Sequence, residues 1–135
     1  MDTTRREVLL PENAPKPLGP YSHGVRAGGW VFASGTIGND PAVGKLVPGG
    51  VPAETRQALT NLTATLRAGG ATLAQVVKTT VFLTDLGQFA AMNAVYAEFF
   101  PTDPPARSTI QVAALPGGAS VEIEAVAIVA EAHGD

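Results

Sequence analysis

Residues 76–100, VVKTTVFLTDLGQFAAMNAVYAEFF, decide the fold class, because their apolar period changes at Asp85. Val76, Val77, Val81, Phe82 and Leu83 make residues 75–84 rich in β-branched and aromatic side chains. The run is apolar on both faces in part, as a central strand is. Beyond Asp85, the residues Phe89, Met92, Tyr96 and Phe99 recur at spacings of three and four, which places them on one helical stripe. Asp85 stands where an N-cap belongs, with Gln88 three residues on as a capping-box partner. Pro101, Pro104 and Pro105 end the helix. A strand therefore feeds directly into an amphipathic helix.

The same two periods recur on either side. Upstream, Pro52 suits the first position of a helix over residues 52–68, where Leu59, Leu62 and Leu66 form one stripe and Gly69-Gly70 stops it. Residues 36–50 hold Gly38, Pro41, Gly44, Pro48, Gly49 and Gly50 and read as a long loop with small turns. Residues 22–26 and 30–34 read as strands around the Gly28-Gly29 turn, the second stopping at Gly35. Pro15, Pro17, Gly19 and Pro20 make residues 13–20 a loop, and Val8-Leu9-Leu10 is a short apolar run ended by Pro11. Downstream, residues 107–113 alternate as a strand, residues 115–118 turn, and residues 120–129 form the last strand. The order is strands, helix, strand, helix, strands. It predicts an α+β fold, with both helices on one face of a mixed sheet, in a single domain spanning residues 1–135.

Composition narrows the function classes. The chain has 135 residues, 45% of them apolar and only 16% charged. That is fewer charges than the ~25% usual for globular chains, and it suggests that part of the surface is covered by other subunits. Net charge is −3, and the nine basic residues are scattered, so no basic stripe for nucleic acid is expected. There are no cysteines and only two histidines, His23 and His133. That removes disulfides and thiolate chemistry and argues against a metal site. Nothing at the N-terminus resembles a signal peptide, and no apolar run nears the ~20 residues of a membrane span. A cytoplasmic protein without membrane contact is expected.

The last strand and the residue after the proline loop carry the chemistry. Val121, Ile123, Ala125, Ala127 and Val129 share one face; Glu122, Glu124, Val126 and Ile128 share the other. The carboxylates either blunt an exposed face or sit at a subunit contact, where they need a partner or a task. Arg107 opens its strand directly after Pro104-Pro105-Ala106. Its planar fork can hold a small carboxylate through two charge-assisted hydrogen bonds; a structural ion pair with Glu122 or Glu124 is the alternative. Tyr21 follows Leu18-Gly19-Pro20, as a packing anchor or as a hydroxyl aimed into a pocket. Ser34-Gly35 ends a strand, where backbone N–H groups come free. Ser34 makes a poor nucleophile, because no Gly-x-Ser-x-Gly elbow surrounds it and the sequence places no obvious orienting acid for His23. Gly44-Lys45-Leu46 lacks the spacing and hydroxyl of a phosphate loop.

Together the stretches ENAPKPLGPYSHGV, VFASGTIG, VVKTTVFLTDLGQFAAMNAVYAEFF, PPARSTIQVAALP and VEIEAVAIV resemble the RidA (YjgF/YER057c-type) family, across residues 11–129. The resemblance implies a chorismate-mutase-like fold assembled as a barrel-like homotrimer, with ligands between subunits and no cofactor. It implies hydrolysis of 2-aminoacrylate and 2-aminocrotonate, through their imines 2-iminopropanoate and 2-iminobutanoate, to 2-oxo acids and ammonia. The family's carboxylate-binding arginine falls on Arg107, its water-handling glutamate on Glu122 and its pocket tyrosine on Tyr21. Ser34, Gly35 and Asn93 match its ligand contacts. Thr109 stands where many members carry cysteine, and the loop before Arg107 is short. Three other readings stay open: a deaminase of another aminoacrylate derivative, a non-catalytic trimer that binds small carboxylates, and a ribonuclease or translation inhibitor, which the net charge disfavours.

Overall fold

The structure is a computed structural model that describes residues 5–14 and 16–130; Pro15 and His133 lie outside the described residues. Eight strands and two α-helices follow in the order β1 (Arg6–Leu9), β2 (Gly24–Ala27), β3 (Trp30–Thr36), β4 (Asn39–Asp40), β5 (Lys45–Leu46), α1 (Gly50–Ala68), β6 (Val76–Leu83), α2 (Phe89–Phe99), β7 (Ala106–Gln111) and β8 (Val121–Ile128). Six strands form one sheet in the order β1-β2-β3-β8-β6-β7. Every pairing in it is antiparallel except β6 with β7, which is parallel. The parallel pair follows from the topology, since α2 carries the chain back to the start of the sheet between β6 and β7. The fold is α+β with a mixed sheet.

Strand alternation decides which face meets the helices. Val121, Ile123, Ala125 and Ala127 of β8 are buried, as are Val31 and Ala33 of β3 and Thr79, Val81 and Leu83 of β6. They pack against Ala58, Leu59, Leu62 and Leu66 of α1 and against Met92 and Tyr96 of α2. The stripes read from the sequence are therefore the core. The opposite face has no helix over it. Trp30, Phe32, Ile110 and Ile128 lie there with 44–48% of their surface exposed, a large apolar display for an uncovered sheet.

Five local expectations are corrected. β3 does not stop at Gly35; it continues to Thr36 after a register shift between Ala33 and Thr36. The loop at residues 36–50 contains the β4–β5 hairpin, whose two-residue strands are too short to show a period. α1 starts at Gly50, two residues before Pro52, behind Gly49 and Gly50 at positive φ (116° and 72°), a conformation glycine enters without penalty. Asp85 and Gln88 form no capping box: the Asp85 Oδ1 accepts the Gly87 N–H at 2.8 Å, closing a short 3₁₀ turn over Leu86–Gln88 ahead of α2. β7 ends at Gln111 rather than at residue 113.

Candidate active site

Arg107 sits on β7 opposite Thr79 of β6. Thr79 is fully buried against α2, so Arg107 shares the helix-side face of the sheet. Its Cζ lies 4.7 Å from the centroid of the Tyr96 ring and 5.5 Å from that of Phe89. Both are within cation–π range. The Tyr96 hydroxyl and Thr79 Oγ1 are 2.7 Å apart. Burial pushes the Tyr96 phenol up, while the Thr79 hydrogen bond and the charge and hydrogen bond of Arg107 pull it back down. Thr109, opposite Val81, falls on the same face as Arg107. Asn93 lies one turn along α2 from both Phe89 and Tyr96, and its Oδ1 is buried without a hydrogen-bond partner. An unpaired buried acceptor costs about 1–3 kcal/mol.

Glu122 belongs to a different group. It sits on β8 opposite Phe82 of β6. Phe82 is three positions from Thr79, so Glu122 points to the opposite face from Arg107. Glu124, opposite Thr80, points the same way as Glu122. The alternative of an Arg107 ion pair with Glu122 or Glu124 is therefore not realised; the ion pair seen among the described residues joins Arg56 to Glu98 at 2.9 Å. The Glu122 carboxyl packs on Gly35 so closely that a Cβ there would lie 2.5 Å from Oε2. Burial, and then the Glu124 charge, push the Glu122 carboxyl above the usual carboxylate range.

Gly35 also borders the Tyr21 side of the molecule. Residues 11–14 and 16–21 lie beside α1 at a cavity of about 130 Å³, which Tyr21, His23, Gly35, Thr36, Asn61 and Thr65 help to line. The Tyr21 hydroxyl accepts the Leu18 N–H at 3.2 Å, and the ring is 47% exposed. Ser34 is less available than its strand-end position suggests. Its hydroxyl donates to the Ser22 carbonyl at 2.6 Å and its N–H to the His23 carbonyl at 2.9 Å. Gly35 and Glu122 thus form one group, which Gly35 joins to the Tyr21 cavity. Arg107, Thr109 and Asn93 form a second, and the sheet separates the two. Phe89, Tyr96 and Thr79 were legible in the sequence only as stripe and strand residues. The register of β6 with β7 is what brings them to Arg107.

Residues 11–129 match a protein-family model described as endoribonuclease L-PSP. That is the family of RidA and YjgF, and the match spans nearly the whole chain. The chain belongs to the RidA family. A RutC family protein of Pyrococcus horikoshii is 48% identical to this RidA-family chain over 122 residues, covering 90% of it and 97% of the relative. The 2-iminobutanoate/2-iminopropanoate deaminase of Capra hircus is 47% identical over 128 residues, covering 95% and 93%. Among solved structures, E. coli TdcF with bound serine superposes with a TM-score of 0.85 at 40% identity, covering 90% of this chain and 98% of that one. The α+β architecture is thus that of known RidA-family structures. Among the described residues no cluster of His, Asp and Glu suits a metal ion, and no helix is long and apolar enough to cross a membrane.

Proposed function

We propose that this chain is a 2-iminobutanoate/2-iminopropanoate deaminase whose sites form between copies in a homotrimer. The name of the Capra hircus relative supports the activity. The serine bound by TdcF, a small molecule with a carboxylate beside a substituted carbon, fits a site of this kind. The observation that carries the assembly is the separation of the two groups. A cation and a carboxylate that face away from each other across one sheet cannot act on one small molecule, and the exposed Trp30, Phe32, Ile110 and Ile128 offer a face for a neighbour.

Arg107 of one copy binds the substrate carboxylate through its in-plane N–H groups. Thr109 and the buried Asn93 oxygen complete that half. From the neighbouring copy, Tyr21 and the Ser34-Gly35 backbone orient the imine, and Glu122 holds a water. The raised Glu122 carboxyl is a better proton acceptor than an ordinary glutamate. It takes a proton as water oxygen adds to the imine carbon and returns it to nitrogen. The same carboxylate then relays the hydroxyl proton of the resulting carbinolamine to that nitrogen; as the C=O bond forms the C–N bond breaks, ammonia leaves, and the 2-oxo acid remains. Positioning plus one acid/base group, together about 10²–10⁴-fold, suffices for an imine that already hydrolyses readily. Such imines are shed by pyridoxal-phosphate dehydratases, which fits a cytoplasmic setting. The test is ammonia and 2-oxo-acid release with a threonine or serine dehydratase as imine generator. Acceleration over the uncatalysed rate is expected. Binding of 2-oxobutanoate without acceleration would leave a carboxylate-binding protein and refute the deaminase reading.

A further inference from the structure

A carboxylate clamp works only if the guanidinium plane is fixed before substrate arrives. An ion pair could fix it, but would occupy the donors that substrate needs. Arg107 is held differently. Its Cζ lies over the Tyr96 ring at 4.7 Å and over the Phe89 ring at 5.5 Å. Aromatic faces attract the cation through their quadrupole without taking up its in-plane N–H groups; the Tyr96 hydroxyl engages one donor, and the others stay available to a carboxylate. Tyr96 is itself fixed, being 5% exposed, with its hydroxyl 2.7 Å from the fully buried Thr79 Oγ1. Phe89, the first residue of α2, is 41% exposed. It is a large apolar side chain kept at an open edge beside the arginine.

We propose that Tyr96, locked by Thr79, and Phe89 form an aromatic platform that presents Arg107 to the incoming carboxylate. These are positioning residues, acting through Arg107. The inference rests on Arg107 being the carboxylate clamp. It adds why lysine cannot serve: an ammonium on the same platform has no plane for the rings to orient.

The test compares Phe89→Leu, Tyr96→Leu, Tyr96→Phe and Arg107→Ala in the full-length protein. Calorimetry gives the Kd for 2-oxobutanoate; dehydratase-generated 2-iminobutanoate gives KM and kcat. Phe89→Leu and Tyr96→Leu are expected to raise Kd and KM about 3- to 30-fold, the range of a cation–π contact, with a smaller change in kcat. Tyr96→Phe keeps the ring face but loses the hydroxyl contact with Thr79, and its Kd is expected to fall between those of wild type and Tyr96→Leu. A purely structural defect would instead lower kcat with the fraction of folded protein and leave Kd unmoved. Phe89 is at the surface, so its variant folds even where Tyr96→Leu does not. Wild-type Kd in Phe89→Leu, with binding abolished in Arg107→Ala, would overturn the platform and leave the clamp standing. Wild-type Kd in Arg107→Ala would overturn both.

Discussion

Gly35→Ala separates the placement of Glu122 from the stability of the fold. Gly35 is not at positive φ, so alanine fits its backbone. The added Cβ would lie 2.5 Å from Glu122 Oε2 and 2.7 Å from Cδ. Ordinary contact begins near 3.4 Å, so the carboxylate must retreat by about 0.9 Å (3.4 less 2.5). It is the end of a flexible side chain, and it can move without disturbing the core. Stability should therefore fall by no more than about 1 kcal/mol. A displacement of about 1 Å at a proton-transfer group costs on the order of 10²-fold in rate, or roughly 3 kcal/mol. Oxo-acid release from enzymatically generated 2-iminobutanoate measures the first effect, and thermal melting the second. Gly35→Ala is expected to melt close to wild type and lose about 10²-fold in kcat. In a Glu122→Ala background it should add little, because the two substitutions act on one group. Wild-type kcat in Gly35→Ala would show that Glu122 does not handle the water.

Gly38→Ala is the converse case: its Cβ would meet the Glu54 carbonyl oxygen and Cα of α1 at 2.7 and 2.8 Å, and backbone cannot yield. It should lose about 1–3 kcal/mol and melt several degrees lower. Glu124→Gln removes the second of the two causes that raise the Glu122 carboxyl. The acid limb of the pH–kcat profile should move to lower pH, while burial keeps it above that of an ordinary carboxylate. Glu122→Gln should stabilise the protein at neutral pH, with the gain disappearing near pH 4, where both states carry a protonated carboxyl. The reason is that a carboxyl raised by folding begins to destabilise as pH passes its unfolded value and does so fully above its folded one; melting curves at the two pH values check this.

The α+β order was legible because residues 76–100 switch period at a single aspartate, and because the β8 alternation was clean enough to name both faces. The β4–β5 hairpin was not legible, since two-residue strands have no period. Glu54 shows a different gap. It is a buried carboxylate whose Oε1 accepts the Ser120 N–H at 2.8 Å, 66 residues away in the chain, and nothing local announces such a bond. The site was half legible. Alternation assigns faces within each strand, but the relation of Arg107 to Glu122 depends on how β7 and β8 each register on β6. That register turned a possible ion pair into two separate groups. Tyr96 belonged correctly to the apolar stripe of α2, while its contacts with Thr79 and Arg107 depend on the same pairing.

The central claim is that the Arg107 group of one copy and the Glu122 group of another make one hydrolytic site. Arg107→Ala and Glu122→Ala subunits, each inactive alone, can be unfolded, mixed in equal amounts and refolded together. Some neighbouring pairs then unite an intact Arg107 with an intact Glu122. Random assembly of a closed ring gives such pairs at about a quarter of the sites. The mixture is expected to recover about that share of wild-type 2-iminobutanoate hydrolysis. A mixed assembly of normal size that stays as inactive as its parents would contradict the account.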